Sequence, residues 1–203
     1  MISHKTCRSQ LLKLGKSRLE RYKKTDKRLS HLLAKVEISL PEITYSDFGM
    51  KLNVEGTDLL LIHPQNGAHT LGDTILALPD ERVMFLGDVL FNGFFPNLED
   101  ANLESWIDFL RDIDLGTYTC FVPGHGTICG ANEVTGFRQY LITLRDRLLS
   151  NDLNADARNP LSVFETDETK NWKFRHILQR NFDSLLSKRP RISQKSEIGI
   201  HKK

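Results

Sequence analysis

Three short apolar runs, each leading into a polar residue beside glycine, constrain this chain more than any other feature. The runs are Leu59–Ile62, Val83–Leu86 and Thr119–Val122. They lead into Gly67-Ala-His-Thr-Leu-Gly-Asp73, Gly87-Asp88 and Pro123-Gly-His-Gly126. An apolar run of this length bounded by turn residues reads as a buried strand. A polar residue just beyond the C-terminal end of a strand is where open α/β sheets place their chemistry. His69, Asp88 and His125 are therefore the candidate site residues. Two imidazoles and a carboxylate suit zinc or iron.

The remaining pattern alternates strands with helices, which predicts an α/β fold. Short strands are expected at Ile43–Tyr45 and Lys51–Val54, and Leu76–Leu86 reads as a hairpin turning at Pro79 and Asp80. Residues 103–113 repeat Leu103, Trp106, Ile107 and Leu110 at helical spacing behind an Asn102 cap. Residues 133–149 carry the clearest apolar stripe, and 8–35 and 170–187 read as further helices. No internal repeat, phosphate-binding glycine loop, serine nucleophile elbow or C-x-x-C pair is present.

An apolar fraction of 39% is enough to build a core. Cys7, Cys120 and Cys129 are too few and odd in number for a disulfide framework, which points to a reducing compartment. No apolar run approaches the roughly 20 residues of a membrane helix, and the basic start has no continuous apolar stretch of a secretory leader. The expected location is cytoplasmic. Net charge is only +2, but residues 1–35 hold 11 Lys/Arg against 2 Asp/Glu, while 36–169 hold 7 against 22. Residues 170–203 are basic again, with 10 against 2. Basic ends usually form solvated faces, and these lack a stacking pattern for nucleic acid, so an interaction module is an alternative and nucleic acid is not the expected partner.

With these motifs in order, H-T-x-G-D at His69–Asp73, a strand ending Gly87-Asp88, and Pro123-Gly-His-Gly126, the chain resembles the metallo-β-lactamase superfamily. It looks closest to the glyoxalase-II-like and β-lactamase-like hydrolases. The resemblance covers about residues 36–150. It implies a four-layer αββα sandwich, of which this chain carries mainly the second half. It also implies the family's site roles. The residue matching His69 binds one metal, that matching His125 binds the other, and that matching Asp88 bridges both and is the catalytic carboxylate.

The family's upstream H-x-H-x-D-H segment has no counterpart, since His4, His31 and His63 are not so spaced. Four of the usual ligands are thus absent, and three remain. Three ligands are also compatible with a mononuclear two-His-one-carboxylate site.

The expected organisation is a basic helical segment 1–35, a partial metallo-β-lactamase-like domain 36–150, a linker and helix 151–187, and a disordered basic tail 188–203. The implied function is a metal-dependent hydrolase using two Zn2+ ions, or iron. Metal-bound hydroxide would attack an ester, thioester or lactam carbonyl of a small-molecule substrate. The alternative is a truncated, inactive copy of the fold. Half a sandwich leaves an apolar sheet face open, so a homo-oligomer or a missing N-terminal segment is the expected partner. Thr70 is expected to orient its neighbours, Asp73 to stabilise a turn, and His63 to be structural. Leu90–Pro96 reads equally as pocket wall or core.

Overall fold

The structure is a computed structural model that describes residues 1–25, 27–47, 49–149, 160–185 and 187. Strand β1 (Ile2–His4) pairs in parallel with β2 (Ile43–Tyr45), and helices α1 (Lys5–Thr25) and α2 (Lys27–Leu32) lie between them in sequence. The main sheet has five strands in sequence order: β3 (Gly49–Val54), β4 (Thr57–Ile62), β5 (Ile75–Leu78), β6 (Val83–Phe91) and β7 (Cys120–His125). The first four run antiparallel, and β6 and β7 are parallel. Helix α3 (Leu103–Asp112) makes the crossover that a parallel pair requires. Helix α4 (Ala131–Leu149) follows β7, and then come a single helical turn at Pro160–Phe164, a 3₁₀ turn at Arg175–Ile177, and a helix over 178–185.

Local chemistry explains the turns. Glu55 and Gly56 both have positive φ, 51° and 88°, as a two-residue type I′ hairpin demands. The Gly56 N–H donates to the Asn53 side chain. At the β5–β6 turn the Arg82 N–H donates to the Pro79 carbonyl at 3.1 Å, with Pro79 fixing φ. Asn102 caps α3 by accepting from the Ser105 N–H.

The sheet has one packed face and one open face. Ile75, Ala77, Met84, Leu86 and Phe121 point inward onto Trp106 and Leu110 of α3 and Phe137, Leu141 and Leu144 of α4. Burying each such side chain contributes about 1.5–3 kcal/mol. Strand alternation sends their neighbours the other way. Met50, Leu61, Leu76, Phe85 and Val122 lie in register across all five strands. None of them belongs to the core or packs against it, and Phe85 is 41% exposed. This is the apolar sheet face that half a sandwich leaves open.

The N-terminal segment braces the loop between β4 and β5. The buried His4 ring stacks on the buried His63 ring at 3.6 Å. Tyr45 Oη hydrogen-bonds Thr74, and Gly72 seats so close to Cys7 that a Cβ would meet its backbone at 2.6 Å. Arg18 and Arg21 pair with Asp100 and Glu99. A cavity of about 210 Å³ remains between α1 and Thr70–Gly72.

Several expectations need correction. The helix expected over 8–35 begins at Lys5 and stops at Thr25, with α2 continuing only to Leu32. Within α1, Gly15 is the one buried residue. The strand expected at Val83–Leu86 continues to Phe91 through an irregular register around Gly87, so Asp88 lies within β6 and not beyond it. Likewise β7 extends to His125 itself. The helix expected over 170–187 exists only from 178. Lys173 instead bridges Phe94, with its N–H donating to Gly93 and its carbonyl accepting from Phe95, both at 3.0 Å. Those bonds occupy the backbone groups that a helix would use. The expected linker residues 151–159, Leu186 and the tail 188–203 lie outside the described residues. Among the described residues, no helix is long and apolar enough to cross a membrane.

Candidate metal centre

The three residues singled out in the sequence come together. The Asp88 carboxylate lies between two imidazoles: Oδ2 is 3.9 Å from His69 Nδ1, and Oδ1 is 3.6 Å from His125 Nε2. The His69 side chain is 14% exposed, against 43% for Asp88 and 39% for His125, so the carboxylate faces solvent between its partners.

Each residue is held by its own device. His69 sits on the β4–β5 loop, which is folded around the Asp73 carboxylate. Asp73 Oδ2 accepts from the N–H groups of Ala68 and Thr70, and Oδ1 accepts from the Thr70 hydroxyl at 2.6 Å. The residues on both sides of His69 are thereby fixed. Thr70 Oγ1 in turn accepts from the Gly72 N–H. Gly67, with φ +77°, turns the chain where a Cβ would strike Thr70 and Leu71. His63 Nδ1 reaches the Asp73 carbonyl at 2.8 Å, which makes it a structural support.

Asp88 gets its position from the closest approach of β6 and β7. A Cβ on Gly124 would overlap Asp88 Oδ1 and lie 2.7 Å from the Gly87 carbonyl carbon. Glycine there is what gives the carboxylate room. His125 is fixed by the Asn92 N–H, which donates to its carbonyl, and by Gly126 at φ +108°, where a Cβ would meet the Asn92 backbone. Phe91 stacks on the His125 ring at 5.2 Å, and Phe94 lies at 5.9 Å. Of Leu90–Pro96, the side chains of Leu90, Phe91, Phe95 and Pro96 are buried, so most of this stretch is core.

Sequence reasoning missed the parts that connect these devices. Trp106 is fully buried, stands edge-on to the His69 ring at 5.7 Å, and donates its indole N–H to the Val89 carbonyl. It therefore ties the His69 side to the residue after Asp88. Ser105 and Asn102 bind the carbonyls of Gln65 and Asn66 on the loop before His69. The signal was present in the α3 pattern but was read only as a core stripe and a cap. Cys129 pairs with Phe121 across a β-bridge, and burial pushes its thiol up to about 11.

Among the described residues, no three His, Cys, Asp or Glu side chains close around a single point that could hold an ion. The geometry is a relay, His69–Asp88–His125, with one carboxylate oxygen turned to each imidazole. Asp88 thus stands between the two histidines, one on either side.

Comparison with solved structures agrees with the architecture. The chain superposes on the stereoselective inverting sec-alkylsulfatase Pisa1 from Pseudomonas sp. with a TM-score of 0.54 and 16% identity, over 71% of this chain and 26% of that one. It superposes on VMB-1 with a TM-score of 0.51 and 15% identity, over 70% of this chain and 55% of that one. The chain has the metallo-β-lactamase fold. A sequence relative is the 2,4-dinitroanisole O-demethylase subunit alpha of Nocardioides sp. (strain JS1661), 31% identical over 83 residues. That match spans 40% of this chain and 25% of the relative. The chain thus spans a quarter of that relative's length and about half that of VMB-1. No protein-family model matches the chain.

Proposed function

We propose that this chain supplies one side of a metal-dependent hydrolytic centre, with Asp88 shared between two ions and His69 and His125 anchoring one ion each. The observation that carries this reading is the divided carboxylate, whose two oxygens face two different imidazoles in space that only glycine at 124 leaves free. Zinc, with iron as the alternative, would supply a Lewis acid there, lowering the pKa of water and polarising the scissile bond. The chain's own residues do the positioning. Asp73 and Trp106 fix the His69 side, and Asn92 and Phe91 fix the His125 side. A catalytic zinc takes about three protein ligands, so groups outside this trio complete the centre.

The expected substrate is a small molecule with an ester, thioester or lactam carbonyl. The names of the relatives add aryl methyl ethers and alkyl sulfates to the bonds worth testing. A second reading, an inactive partial copy of the fold, is favoured by the absence of a closed three-donor cluster among the described residues.

The test is a substrate panel on the full chain loaded with zinc: p-nitrophenyl acetate, an acetyl thioester, nitrocefin, 2,4-dinitroanisole and a secondary alkyl sulfate. The proposal expects turnover of at least one that is abolished by chelator and lowered at least a hundredfold in Asp88→Ala. Rates equal to those of Asp88→Ala on every substrate would establish the inactive reading.

A further inference from the structure

The aromatic side of His125 has features that core packing does not account for. Phe174 is a bulky residue at φ +67°, in the left-handed region that favours glycine or asparagine. Its backbone is forced there by the bridge at Lys173 and by the 3₁₀ turn that begins at Arg175. A glycine would meet that need without strain. The ring also does not serve the core, since Phe174 neither belongs to the buried cluster nor packs against it. It stands edge-on to the His125 ring at 4.9 Å and to Phe94 at 4.9 Å, and it is half-buried. Strained, non-core residues persist where a site needs the side chain. Lys173, exposed, holds its ammonium 5.3 Å from the Phe94 ring centre.

We infer that Phe94 and Phe174 form an aromatic shelf beside His125 that binds the planar apolar part of the substrate, with Lys173 at its rim to meet a negative charge. This rests on the proposed hydrolytic centre for its biological meaning, but the shelf exists without it. An aryl ring placed there would stack on one of the two Phe rings, which stand at 69° to each other, and lie beside the His125 imidazole. The substrate class is thereby narrowed to one with an aryl group, preferably anionic, on the His125 side of the reacting bond. Phe94 and Phe174 are the residues that set this preference.

The experiment measures binding without turnover. Full-length chain with no added metal is titrated with 2-naphthoate and, separately, with acetate, following the His125 ring protons by NMR. Melting temperature is recorded in parallel for wild type, Phe174→Gly and Phe174→Leu. The shelf predicts that 2-naphthoate binds at least tenfold more tightly than acetate and shifts the His125 signals. Phe174→Gly should lose that preference while melting at or above the wild-type temperature, because it relieves the left-handed strain. Phe174→Leu should keep apolar bulk, lose stacking, and bind several-fold more weakly.

Equal binding of the two probes by wild type would overturn the inference, as would unchanged naphthoate affinity in both variants. Naphthoate binding lost in Phe174→Gly would uphold the shelf even if no substrate in the panel turned over. Turnover with no naphthoate preference would leave the hydrolytic centre standing and remove the shelf.

Discussion

Replacing Gly124 by alanine tests whether the strand contact at Asp88 is as close as the site requires. The new methyl carbon would overlap Asp88 Oδ1 and lie 2.7 Å from the Gly87 carbonyl carbon and 2.8 Å from the Asp88 nitrogen. Two of these three atoms are backbone, so no side-chain rotation relieves the overlap and β6 and β7 must part. Overpacking of this kind costs about 1–3 kcal/mol. For a chain of this size 1 kcal/mol corresponds to roughly 2–4 °C, so the melting temperature should fall by about 2–12 °C. Gly136 provides the matched control. It lies within α4, and a Cβ there meets nothing within 4 Å. Alanine in an open helical position should stabilise by about 0.5–1 kcal/mol, raising the melting temperature by roughly 1–4 °C. Circular dichroism melts of both variants give the answer, with zinc titration of each alongside. Gly124→Ala should also lose zinc affinity, and Gly136→Ala should not. A Gly124→Ala protein that melts with wild type would refute the close approach. So would a Gly136→Ala protein that loses as much stability as Gly124→Ala.

Asp73→Ala removes the acceptor of three hydrogen bonds on either side of His69. Urea denaturation should show a loss of about 2–4 kcal/mol, since each bond to a charged acceptor contributes roughly 1.5–3 and they are not additive. Zinc affinity should fall about 10–100-fold, because Asp73 supports a ligand it does not itself replace. His4 gives a pH signature. Burial, the stacked His63 and nearby Lys5 hold its pKa below the ordinary 6.5. The unfolded chain therefore binds more protons between the folded value and 6.5, so this contribution is present above pH 6.5 and is lost as pH falls below it. Urea midpoints at pH 7.5 and 5.5 should differ less in His4→Gln than in wild type, and an equal difference in both would remove His4 from the account.

Much of the fold was legible because its signals were local. Asn102 and the stripe Leu103, Trp106, Ile107 and Leu110 marked α3 to within a residue, and the β5–β6 hairpin followed from Pro79 and Asp80 between two apolar runs. The failures share a physical cause, which is tertiary contact overriding local pattern. Phe174, Ile177 and Leu178 fall at helical spacing, yet the backbone at 173 is taken by Gly93 and Phe95. Strand β6 runs past Gly87 because Phe91 pairs with His125 beyond the irregularity, a partner 34 residues away in sequence that no local window sees.

The site divides in the same way. His69, Asp88 and His125 stood out as polar residues beside glycine at strand ends, whereas Trp106, Asn92 and Phe174 were hidden because each acts through a contact distant in sequence. The open outer face, with Phe85 41% exposed on β6, was foreseen from the half-sandwich pattern and is present.

The most direct test of the shared carboxylate is a zinc titration by isothermal calorimetry on the full chain, with His69→Ala, His125→Ala and Asp88→Ala beside it and metal content checked by elemental mass spectrometry. The account predicts zinc binding that each substitution weakens, with Asp88→Ala the most severe because its two oxygens serve both histidines. Absence of binding to the wild-type chain, or binding that all three variants retain unchanged, would contradict it.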